Sequence, residues 1–229
     1  MATLETLRRV VGGKIGLDYT NAGTERDLID EWCSQGVREV LLRSHCYVGT
    51  STITTTASEW QYDLSYAVMA ITQIWRDGET NPMIRVTPEE IIELRRSSSG
   101  TSDATTLRWA LQGTNMILLW PTPTAAFDIN LIYVPRPTEL SFDTHDPSTS
   151  TYGGVPVEYH KAIEMYALAE AADWDDDASS QAGLTYRARF EDELRNVRAG
   201  TNRKGGRLPQ ARVGRRRFGA RDNDTYPAV

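Results

Sequence analysis

Cysteine and histidine are scarce in this chain, with two of the first and three of the second in 229 residues. Cys33 and Cys46 cannot build a disulfide framework of the kind that staples small secreted domains, and they read as buried structural thiols. His45, His145 and His160 are far apart and lack metal-ligand spacing. No apolar run approaches the roughly 18 residues that a membrane helix needs, and the N-terminus lacks the apolar core of a secretory signal. These absences predict synthesis in a cytoplasm and no membrane partner. No phosphate-cradling glycine loop, nucleophile elbow or Cys-x-x-Cys motif occurs.

The sequence "DWDDD" offers Asp173, Asp175, Asp176 and Asp177, the alternating acids of a calcium loop. Ala178 stands where the sharp turn needs glycine, and Leu184 stands where the bidentate acid belongs. An acidic helix junction is the better reading. His145, in "DTHDP", is the one candidate general base, and no partner nucleophile accompanies it. Trp60, Tyr62, Trp75, Trp109, Trp120 and Tyr133 could stack on bases from a sheet surface, but at strand spacing they read as core. The chain is expected to be no enzyme and to need no cofactor or metal.

What is present is a pattern of amphipathic helices, threonine- and aromatic-rich strands, and one strongly basic end. "TLETLRRVV" reads as a short helix over about 3–12, stopped by Gly12 and Gly13. A second helix covers about 24–43, with Thr24 as its capping hydroxyl and Leu28, Ile29, Trp32, Gly36, Val37, Val40 and Leu41 on its buried face. "TSTITTTASEWQYDL" reads as a hairpin and "VMAITQIWR" as a further strand, a β region over about 50–75. Thr87, Pro88, Glu89 and Glu90 open a short helix over about 87–96. Residues 106–135 hold a strand pair turning at Gly113, Thr114 and Asn115, then an alternating strand ended by Pro135. Helices over about 156–174 and 178–198 form an antiparallel pair, with Gly200 as a stop. The fold class is therefore α+β: a helical bundle with an inserted antiparallel β domain.

Charge divides the chain. Residues 203–221 carry eight basic side chains and no acid, whereas the first 202 residues hold 17 basic against 29 acidic ones, a net of −12. The segment 203–229 also lacks any apolar period, so it is expected to be an extended arm appended to a body of residues 1–202.

The ordered set "TLETLRRVV", "TERDLIDEWCSQGVREVL", "VTPEEIIELRR", "MILLWPTPTAAFDINLIYVPRPTELSFDTHDP" and "PVEYHKAIEMYALAEAADWDDDASSQAGLTYRARFEDEL" resembles the head–tail connector (adaptor) proteins of tailed bacteriophages. The resemblance implies a structural virion protein of the neck, in a dodecameric ring beneath the portal protein. It further implies a tail or neck protein below, and double-stranded DNA passing through the lumen without sequence-specific binding. By the same resemblance the arm docks on the portal; from their charge and apolar character Arg203, Lys204, Arg207, Leu208, Arg212, Val213, Arg215, Arg216, Arg217, Phe218 and Arg221 are the residues expected to make that contact. Two other readings compete: a nucleic-acid-binding protein gripping through the arginine-rich tail, and another neck component such as a head-closure or tail-terminator protein.

Overall fold

The computed structural model describes residues 3–97, 107–174 and 179–204. Four helices, α1 (Leu4–Ile15), α2 (Thr24–Ser44), α4 (His160–Trp174) and α5 (Ser179–Lys204), share one hydrophobic core. Leu4, Leu7 and Val11 from α1, Val37, Val40 and Leu41 from α2, Ile163, Ala167 and Leu168 from α4, and Phe190, Leu194 and Val197 from α5 are all buried there. Their spacing is the 3.6-residue period that puts one stripe of each helix inside. α4 and α5 run antiparallel: Gly183 lies against Asp173 at one end of the pair, and Gly200 against Tyr159 at the other.

Between α2 and α4 lie two small sheets. One has the order β1 (Gly49–Thr54), β7 (Asp128–Pro135), β3 (Val68–Arg76), with both pairings antiparallel. The other has the order β2 (Gln61–Asp63), β6 (Met116–Trp120), β5 (Arg108–Gln112), β4 (Ile84–Arg85), and carries α3 (Pro88–Ser97) against β5 and β6. Strand β7 links the helical core to the larger of two β clusters, the smaller being Ile91, Ala110 and Leu118 under α3. Its Ile129 and Leu131 enter the β core with Ile71, Ile74, Trp109 and Ile117, while Val134 enters the helical core. Alternation along a strand sends odd and even positions to opposite faces, so this sheet is buried on both sides where it meets the bundle.

The α+β class stands, and several local expectations are corrected. Residues 50–63 do not form a hairpin: β1 pairs with β7 and β2 with β6, in different sheets. Pairing partners are chosen by burial across the whole chain, which a local strand pattern does not encode. The β unit is not wholly antiparallel, because β4 lies parallel to β5. Gly12 and Gly13 do not stop α1, which runs on to Ile15 and closes at Gly16 in the left-handed conformation. Gly12 is instead a point of close approach, since an added Cβ would lie 2.7 Å from the Tyr19 ring. Gly200 does not stop α5 either; a Cβ there would lie 2.1 Å from the Tyr159 hydroxyl. Thr24 makes no capping hydrogen bond and is the first helical residue, with Gly23 at the cap. Thr87 does cap α3, its hydroxyl accepting from the Glu90 N–H at 3.2 Å.

Candidate assembly surfaces

The loop between β7 and α4 is fastened to the bundle from several sides. At its centre is Arg8, only 2 % exposed, which holds Asp30 of α2 through two nitrogens and Asp143 of the loop through a third. Arg26 also reaches Asp143, at 2.5 Å. Burial works against the Arg8 charge, but hydrogen bonds and attraction from Asp30, then Asp143, outweigh it, and its pKa is raised. The first N–H groups of α1 are satisfied by the same loop: Leu4 donates to the His145 carbonyl at 2.8 Å and Glu5 to that of Asp143. Deeper in, the Leu140 N–H donates to the hydroxyl of Ser34, which is buried in α2.

His145 is part of this fastening. Its Nδ1 accepts from the N–H groups of Ser141 and Phe142, at 3.1 and 3.4 Å, and its ring stacks on Tyr152 with centroids 4.0 Å apart. The nitrogen that a general base would use is already committed to the backbone. His160 is buried, with Nε2 bonded to the Val155 carbonyl at 2.9 Å. Burial pulls its pKa below the ordinary imidazole value, and the Val155 bond and the charge of Asp146 only partly oppose this. His45 ends α2 in the left-handed conformation. Cys33 and Cys46 are free thiols, and burial pushes the pKa of each upward, which keeps them protonated and unreactive.

Of the six aromatics, Tyr62 and Trp109 are in the β core, while Trp60, Trp75, Trp120 and Tyr133 are half-buried. Arg95 covers Trp60 at 3.8 Å from its centroid, and Arg108 lies 5.5 Å from that of Trp120. Tyr133 stacks on Tyr66. The rings of Trp60, Trp120 and Tyr133 are thus met by side chains of the protein itself. Asp173 is engaged by Arg187; Asp175, Asp176 and Asp177 lie outside the described residues. Among the arm residues, Arg203 and Lys204 belong to the last turn of α5, and Arg207, Leu208, Arg212, Val213, Arg215, Arg216, Arg217, Phe218 and Arg221 lie outside the described residues.

Strands β7 and β3 tie the helical core to the β core, and the ion pairs of Arg8 fasten the loop between β7 and α4 to the bundle. A family described as the SU10 adaptor protein matches residues 2–216. The chain belongs to this family of phage head–tail adaptors. No curated protein matches it. The family is a structural one, not a class of enzymes, and it implies a place in the phage neck with portal and tail proteins as neighbours. Among the described residues, no helix is long and apolar enough to cross a membrane.

Sequence reasoning missed Arg8, and a signal for it existed. Leu4, Leu7 and Val11 mark the inner face of α1 at helical spacing, and Arg8 sits on that face. An arginine in a core stripe demands an acid close by, and Asp30 on the facing helix supplies one, with the half-exposed Asp143 closing over it.

Proposed function

We propose that the protein is a head-to-tail adaptor that forms a ring under the portal, extends the DNA channel, and docks on the portal through its basic arm. The reading is carried by the family match, which spans residues 2–216 and so takes in both the folded body and most of the basic segment. A match that continued only to the end of α5 would leave the arm as an unrelated extension.

Charge gives physical support. A body with a net charge of −12 opposes adhesion of duplex DNA, because carboxylates repel phosphates, and a conduit must let its cargo slide. The arm has the opposite sign. With basic side chains at 203, 204, 207, 212, 215, 216, 217 and 221 interspersed with Leu208, Val213 and Phe218, it suits an acidic, grooved protein surface. An extended segment can add a strand to an exposed sheet edge and place alternate side chains in pockets. Repetition in every subunit of a ring multiplies a weak contact into a strong one.

Electron microscopy of the protein mixed with portal rings, full-length beside a version ending at Lys204, tests the reading. Stacked rings that require residues 205–229 are expected. Failure of both versions to associate at ample concentration would overturn it. Tight, steeply salt-dependent binding of DNA through the arm would then put the nucleic-acid reading first.

A further inference from the structure

Among the described residues four strands stand at sheet edges, and β1 alone lacks every usual protection. The edges are β1 and β3 in one sheet and β2 and β4 in the other. β2 and β4 are only three and two residues long. β3 is broken by two register shifts, and its backbone also bonds to Met83 and Thr114. β1 is six residues long, in unbroken register with β7, and reads Gly49, Thr50, Ser51, Thr52, Ile53, Thr54, with no charge and no proline. Brevity, bulges, charge and proline are the devices that keep an edge from pairing, and β1 has none of them.

Which groups β1 leaves unpaired follows from its register. The Thr55 N–H donates to the Phe127 carbonyl at 2.8 Å, so in this antiparallel ladder Gly49, Ser51 and Ile53 are the residues that bond to β7. Thr50, Thr52 and Thr54 turn their N–H and C=O groups the other way, and no main-chain partner for these occurs among the described residues. All three side chains are exposed, and two are fixed across the strand: the Thr52 hydroxyl donates to Asn130 at 2.7 Å and that of Thr54 to Asp128 at 2.6 Å. The edge is held in register while its outer backbone stays free to take another strand.

The chain itself holds a segment suited to that edge. α2 runs opposite to α4, since Trp32 meets Trp174 and Gly36 meets Ile163, and so in the same sense as α5. Arg198 of α5 donates to the carbonyl of Arg43, in the last turn of α2, at 2.8 Å. β1 begins soon after Arg43 and α5 ends soon after Arg198, so the arm leaves the bundle at the end where β1 starts. The 25 residues that follow Lys204 span up to about 80 Å when extended, ample for the distance. Among them Gln210–Arg217, just past Pro209, has no acid and no proline, and sets Ala211 and Val213 on either side of Arg212. The Thr54 end of the edge is acidic. Asp128 faces Thr54 and Asp77 accepts from Asn130 at 3.1 Å, and neither has a cationic partner among the described residues. The cation beside them, Arg76, is turned to Glu79 at 3.8 Å and to the Phe127 ring. A strand entering at Gly49 brings Arg215, Arg216 and Arg217 to that end.

We propose that in the free protein Gln210–Arg217 pairs with β1 of the same molecule, running parallel to it as a fourth strand of that sheet. The pairing covers the unprotected edge and keeps the basic run from other acidic surfaces until a stronger partner takes it. It concerns the chain before it meets any other protein and does not rest on the docking reading above.

Amide hydrogen exchange of the full-length protein, read residue by residue by NMR, is the test. Ser51 and Ile53 bond to β7 whatever the arm does and serve as the internal reference. Val213→Pro with Gly214→Pro removes a donor from the arm whichever alternate set faces β1, and changes no residue of the body. Exchange at Thr50, Thr52 and Thr54 should be slow in the unaltered chain and at least about tenfold faster in this variant, with Ser51 and Ile53 unchanged. Val213→Ile with Gly214→Ala should leave all five as they were. Fast exchange at the three threonines of the unaltered chain overturns the proposal, because the edge is then bare. Slow exchange that survives the two prolines also overturns it, because something other than the arm covers the edge. Protection that grows with protein concentration gives the edge to a segment of another copy and overturns it equally. No portal protein is present in these measurements, so the two proposals fail separately. A bare edge leaves docking of the arm on portal rings intact, and failure to stack on portal rings leaves the alternating protection intact.

Discussion

Where α2 crosses α4, Gly36 lets Ile163 come so near that an added methyl would lie 3.2 Å from both its side chain and its carbonyl oxygen. Where β5 and β6 meet, the opposite solution is found: Trp109, 2 % exposed, fills the space beside Tyr62, Ile117 and Leu119. The bundle is closed by small residues that bring backbones together, including Ala162, Ala167 and Ala171 on α4. The β unit is closed by bulk, with arginines laid over its outer rings, as Arg95 over Trp60 and Arg76 over Phe127. The bundle should therefore be sensitive to added volume and the β unit to its removal. Close approach also explains why the bundle's ionic contacts span distant parts of the chain. Arg43 can hold Glu191 with two hydrogen bonds of 2.7 Å only because α2 and α5 are pressed together.

The largest effect should come from emptying the β core. Trp109→Ala removes a buried indole and is expected to cost about 3–5 kcal/mol in urea unfolding. A loss below about 1 kcal/mol would mean that the β unit re-closes easily, and the contrast would fail. Adding volume to the bundle comes next. Gly36→Val should cost about 1–3 kcal/mol because Ile163 presents a backbone atom that cannot move aside. A neutral result would show that α2 and α4 can separate without penalty. At the edge of the β unit, Thr87→Ala should cost about 1 kcal/mol by leaving the Glu90 N–H without its cap, read from the same unfolding curves.

The smallest effect sharpens the comparison through pH. His160 lies in the bundle with its folded pKa lowered by burial, so the unfolded chain takes up a proton that the folded chain refuses. Its contribution to stability is present above about pH 6.5, the ordinary imidazole value, and is lost as the pH falls below that. The unfolding midpoint should drop between pH 7.5 and 5.5, and His160→Gln should flatten that slope. An unchanged slope in the variant would remove His160 from the account.

Much of the helical bundle was legible because helix periodicity is local. Tyr186, Phe190, Leu194 and Val197 repeat at spacings that stay on one face, and the last three are buried as read. Thr87 and Pro88 mark a helix start from four adjacent residues. The β unit was legible as strands but not as pairs, since Ile53 meets Ile129 across 76 positions that no local pattern counts. Of the candidate site, the concentration of basic residues over 203–221 could be read from charge alone. The loop fastened by Arg8 could not, because Asp30 and Asp143 lie 22 and 135 residues from that arginine.

The sequence by itself determined the family, the α+β class, the helix faces and the charge contrast between residues 1–202 and 203–229. Each of these follows from residue identity and short spacing, which the chain carries wherever it goes. Tertiary structure alone decided what Gly12 and Gly200 are for, which strands pair, and that Arg8 binds two acids 22 and 135 residues away. Those outcomes depend on which surfaces are pressed together once water is excluded. A side chain's partner is then set by the packing of the whole chain and not by its neighbours in sequence.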